Sequence, residues 1–173
     1  MTPQPTQELS SQKCVQTWFI AFTSYRGRNP LYRHVLPRGF GHVFAFTRLD
    51  GGVLLLDPQE GGVRISMLPP PDGKHHGPNL TGFILPLTQT LRDLTLLEVP
   101  GVAPAASKHP AMFFPSCVTA IKAVLCRQSW ALTPRSLFRH LQKMPGVRLL
   151  DKAALHQRRQ ADIAAHQGMD IYV

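Results

Sequence analysis

The chain has 173 residues, 43% of them hydrophobic, and a formal net charge of +9 from 19 Lys and Arg against 10 Asp and Glu. That length and apolar share fit one domain with a buried core. No apolar run approaches the roughly 20 residues a membrane span needs. Three cysteines, Cys14, Cys117 and Cys126, are too few and too scattered for a disulfide framework or a zinc knuckle.

The basic residues are dispersed and no Lys/Arg run exceeds two, so the sequence predicts a solvated basic surface rather than specific nucleic-acid binding. The polar opening stretch lacks the apolar core of a signal peptide, and a cytoplasmic location is expected. No cofactor or metal is expected either. There is no CxxC pair, and His75-His76 are adjacent, without the spacing of a preformed metal site.

In chain order, residues 1–12 read as a flexible arm. Cys14 to Ser24 is rich in β-branched and aromatic residues and predicts a first strand. A connection broken by two prolines and three glycines leads to a second strand, His42 to Arg48. Leu49-Asp50-Gly51-Gly52 reads as a hairpin turn, with Asp-Gly supplying the positive φ that such turns need. Val53 to Asp57 and Val63 to Leu68 follow as strands, separated by the turn Gln59 to Gly62. Residues 69–79 form a loop with turn chemistry throughout. Leu80 to Leu87 and Leu94 to Val99 read as two further short strands.

Two helices come next. Pro115 and Ser116 supply an entry and an N-cap, and Val118, Ile121, Val124 and Leu125 form an apolar stripe at helical spacing. A second helix begins at Thr133-Pro134, carries Leu137, Phe138, Leu141 and Met144 inward, and stops at Pro145-Gly146. The Ala-rich segment after Asp151 is helical by propensity but has a thin apolar face. Strands followed by helices make an α+β pattern: an antiparallel sheet packed against a Cys-bearing helix and a following helix. The domain is expected to span 13–148, with a helical tail at 149–173.

Three residues stand out chemically. Cys117 falls in the first turn of its helix, where partial positive charge and free N–H groups favour a thiolate nucleophile. Such a thiolate needs a base, and the base needs something to orient it. His42 opens a strand, and Asp57 ends its hairpin partner. Pairing across Leu49 to Gly52 makes facing residue numbers sum to about 101, which brings Asp57 or Gln59 within reach of the His42 ring. Each residue also has a plainer structural account. Cys117 fits a small buried hydrophobe, His42 a satisfied strand histidine, and Asp57-Pro58 a strand stop with an Asx turn.

The segments Gly39-Phe40-Gly41-His42-Val43-Phe44-Ala45-Phe46, Leu54-Leu55-Leu56-Asp57-Pro58, Ser116-Cys117-Val118-Thr119-Ala120-Ile121-Lys122 and Thr133-Pro134-Arg135-Ser136-Leu137 together resemble small phage and prophage proteins of papain-like type. These are similar to circularly permuted NlpC-type cysteine peptidases, in which the His strand precedes the Cys helix. The resemblance loosely covers residues 14–144. It implies a permuted papain-like fold with Cys117 as nucleophile, His42 as base and Asp57 as third polar residue. Family enzymes usually add a tyrosine or another polar group on the oxyanion side, for which Tyr25 and Tyr32 are the candidates here.

By that resemblance the chain is a cysteine amidase or peptidase acting on a peptide or a peptidoglycan-like amide. An acyltransferase using the same Cys–His pair differs only in its acceptor. The alternative is a non-catalytic virion or assembly component that keeps the fold and contacts phage structural proteins through its basic surface and tail.

Overall fold

The computed structural model describes residues 16–24, 36–49, 52–59, 62–69, 83, 84, 86, 87, 90, 91, 93–101, 116–126, 129–151 and 157. The expected arm at 1–12, Cys14, Tyr25, Tyr32, His75, His76, and the tail from 152 onward (apart from helical Gln157) lie outside them. Among the described residues no helix is long and apolar enough to cross a membrane.

Among the described residues, six strands and two full helices form a mixed α+β fold. The strands are β1 (Trp18–Thr23), β2 (His42–Leu49), β3 (Gly52–Gln59), β4 (Gly62–Leu68), β5 (Thr95–Val99) and β6 (Arg148–Leu150). The helices, α1 (Cys117–Val124) and α2 (Pro134–Gln142), lie between β5 and β6 in the chain. The sheet order is β4-β3-β2-β1-β5-β6, and every neighbouring pair is antiparallel. In the β2–β3 hairpin, from Leu49 opposite Gly52 to Ala45 opposite Leu56, facing residue numbers sum to 101. The register expected from the turn is the register formed.

Alternation sends successive side chains to opposite faces, and both faces are covered. Ile20, Phe22, Val43, Ala45, Leu56, Leu97 and Val99 pack with Val118, Ile121, Leu125, Leu137 and Leu141 of the helical layer. Phe19, Ala21, Phe44, Phe46, Val53, Leu96 and Leu150 meet Ile84, Phe83, Leu87 and Leu91 on the other side. Burial on both faces explains why β1 reads as an unbroken apolar run rather than an alternating one.

Both helix starts follow the local chemistry. Ser116 Oγ accepts from the Thr119 N–H at 3.2 Å, while Thr119 Oγ1 accepts from the Ser116 N–H at 2.8 Å. Thr133 and Ser136 form the same reciprocal box ahead of α2, with Pro134 at its first position. Past the end of α2, Gly146 adopts φ +80°, a conformation that glycine enters without a steric cost.

Two expectations are corrected. The described residues of the segment read as a strand at Leu80 to Leu87, namely Phe83, Ile84, Pro86 and Leu87, are helical. A continuous apolar run has no period to separate strand from helix. The contacts decide it, because Phe83, Ile84, Leu87 and Leu91 recur at helical spacing and fill the second core. Further on, Arg148–Leu150 is a strand paired with β5, Leu150 opposite Leu96. The sheet thus takes in Leu149 and Leu150, residues that the sequence reading gave to the tail. Three residues carry no legible alternation, and β5 supplies the pairing.

Candidate catalytic site

His42 is the first residue of β2 and Cys117 the first of α1. The site therefore forms where the beginning of a strand meets the beginning of a helix. By alternation His42 shares a face with Phe44, on which its ring stacks at a centroid distance of 6.2 Å.

The turn before His42 is held from three directions. The Gly39 N–H donates to Ser24 Oγ at 3.0 Å, and that hydroxyl donates to Asp93 Oδ2 at 2.9 Å. The Gly41 N–H donates to the Thr23 carbonyl at 2.8 Å, tying the turn to the end of β1. Between the two glycines, the Phe40 ring packs against Phe22 and Phe138, with centroids 5.9 and 5.0 Å away. Gly39 has φ +78°, in the region that favours glycine. The backbone leading to His42 is thus fixed by hydrogen bonds on one side and aromatic packing on the other.

Asp57 lies on β3, on the same face as His42. His42 Nε2 is 2.8 Å from Asp57 Oδ1. A carboxylate only accepts, so Nε2 carries the proton in this bond, and Nδ1 is the nitrogen left for a second partner. Gln59 Nε2 donates to Asp57 Oδ2 at 2.9 Å, so both carboxylate oxygens have partners. The two side chains are 27% and 26% exposed, partly withdrawn from water yet open to a ligand.

His42 also hydrogen-bonds with Cys117. Burial pushes the His42 pKa down, whereas the hydrogen bonds to Cys117 and Asp57, together with the charges of both partners, push it up. The upward causes win, and the imidazole titrates above the ordinary 6.5. Cys117 is half-buried at the N-terminus of α1, where first-turn N–H groups have no intrahelical acceptor. The structure therefore brings the three sequence-predicted residues Cys117, His42 and Asp57 together, with Gln59 behind Asp57.

Sequence reasoning offered Gln59 as a partner for the His42 ring, and it partners Asp57 instead. It missed Ser24 and Asp93, which brace the turn. Asp93 lies 69 positions from Ser24, and no local pattern signals such a pair. Cys126 lies beyond the end of α1, with φ 49°. Among the described residues no group of three His, Cys, Asp or Glu side chains is placed to hold a metal ion. Comparison with protein-family models, with curated proteins and with solved structures found no match to this chain.

Proposed function

We propose that the chain is a cysteine hydrolase of permuted papain-like type that cleaves an amide in a peptide or peptidoglycan-like substrate, in a phage-associated setting. The observation that carries the reading is the His42 ring, bonded to Asp57 at 2.8 Å through Nε2 and close enough to Cys117 for that residue to raise its pKa. A histidine serving only the core has no need of a first-turn cysteine and a braced carboxylate at once.

In this reading His42 takes the Cys117 proton, and Sγ attacks the amide carbonyl carbon. The carbonyl oxygen gains the negative charge and is received by first-turn N–H groups of α1, including that of Cys117. Collapse of the tetrahedral intermediate breaks the C–N bond. His42 returns its proton to the departing nitrogen, and the acyl group stays on sulfur as a thioester. Water, deprotonated by His42, then attacks the thioester, releasing the acid and restoring the thiol. Asp57 holds the ring and stabilises its cationic form, and Gln59 holds Asp57. The raised His42 pKa fits a group that must carry a proton between these steps.

The test is mass spectrometry after brief exposure to a thiol-directed amide or ester probe. Wild type is expected to label at Cys117 far faster than at Cys14 or Cys126. Cys117→Ala should lose the fast label, and His42→Ala should slow it. Equal labelling of all three cysteines refutes the reading.

A further inference from the structure

We propose that two copies of this chain associate antiparallel through β4, joining their sheets into one. β4 is an edge strand, seven residues long, with no described strand on its outer side. On one face it exposes Val63 at 48%, Ile65 at 65% and Met67 at 53%. Edge strands of soluble proteins are ordinarily blunted by lysine, proline, a bulge or short length. β4 contains neither lysine nor proline, and its single charged residue is Arg64. The opposite edge of the sheet, β6, has only three residues.

The sequence of β4 is complementary to itself in one register. Centred on Ile65, the pairing sets Ile65 against the partner's Ile65, and Val63 against the partner's Met67. Every exposed apolar residue then meets an apolar one on the same face. On the other face, Arg64 stands opposite the partner's Ser66. Moving the centre to Arg64 sets that cation against its own copy, which is unfavourable directly across a ladder. Moving it to Ser66 leaves Val63 unpaired. A slip by one residue turns the two apolar strips to opposite faces. Full overlap, apolar matching and charge thus select the same arrangement, and the selected partner is a second copy of this chain. The association is independent of whether the Cys117 site turns over.

Each protomer carries a formal charge of +9, so added salt should strengthen this contact by screening repulsion. An acidic partner or nucleic acid held by the same surface would be released by salt instead. The experiment is sedimentation velocity on the full chain across protein concentration at low and high salt. Wild type is expected to move from one protomer toward two, with the transition at lower concentration in high salt. Ile65→Lys, which places two cations on the symmetry axis, should remain a monomer with an unchanged circular dichroism spectrum.

Should that variant fail to fold, Ser66 tests the register with a mild change. Ser66→Glu faces the partner's Arg64 and should tighten association, while Ser66→Lys should weaken it. A wild type that is monomeric at every concentration overturns the proposal. So does a folded Ile65→Lys protein that still dimerises, or a pair of Ser66 variants that shift association the same way.

Discussion

Replacing Asp57 with Asn keeps the shape of the side chain and removes its charge. Asp57 is bonded through Oδ1 to His42 and through Oδ2 to Gln59. The Asn carbonyl retains one acceptor, and the Asn amide, a donor, then confronts another donor. A hydrogen bond to a charged group contributes about 1.5–3 kcal/mol, against about 0.5–1.5 kcal/mol for a neutral one. The substitution should therefore weaken the hold on protonated His42 by about 1–2 kcal/mol. If the proposed hydrolase reading holds, passing that fully to the acyl-transfer barrier is a loss of about 5- to 30-fold in rate. Burial, the largest single influence on His42, is unchanged, so its downward push meets less opposition and the His42 pKa falls. The sign for stability follows. A group whose pKa is raised on folding contributes stability that is fully present below 6.5 and is lost as pH rises through the folded value. Asp57→Asn should flatten that slope. NMR titration of the His42 ring and urea unfolding at a series of pH values measure the two effects. An unchanged or higher His42 midpoint in the variant refutes the argument.

Phe22 is fully buried between Phe40 and Phe138, and Phe22→Ala should cost about 3–5 kcal/mol in urea unfolding. Ser116→Ala removes the cap of the Cys117 helix and should cost about 1 kcal/mol. Because that cap also orients the first turn, Cys117 labelling should slow as well. An added Cβ at Gly39 would meet its nearest neighbour, the Asp93 carbonyl oxygen, at an ordinary 3.7 Å. Gly39→Ala should therefore cost only the left-handed backbone penalty, about 1–2 kcal/mol, and Gly39→Asn less, as compared by thermal melting.

The parts legible in the sequence are those fixed by neighbours in the chain. Ser116 with Thr119 and Thr133 with Ser136 are three-residue spacings, and both helix starts follow from them. The β2–β3 register follows from a short turn, and with it the approach of Asp57 to His42. What failed was decided at a distance. The segment at 83–87 is helical because its apolar residues fit the second core, and β6 exists because β5 offers an edge. The Ser24–Asp93 bond lies beyond pattern reading for the same reason. Lys122, noted in the sequence only within a motif, turns its ammonium inward onto the carbonyls of Ser129 and Ala131 at 2.8 and 3.1 Å. It steadies the α1–α2 connection rather than adding to the basic surface.

The antiparallel order of the sheet also sets a timetable for synthesis. The His42–Asp57 pair spans 15 positions within one hairpin and can form soon after β3 leaves the ribosome. The outer edge of β1 must wait for β5, since Trp18 pairs with Val99, 81 positions later (99 less 18). Cys117 arrives later still, 75 positions after His42 (117 less 42). Contacts so far apart in the chain close slowly. A nascent chain therefore carries both halves of the His42–Asp57 pair well before it carries Cys117. The Cys117–His42 pair can form only once β1 to β5 have been made.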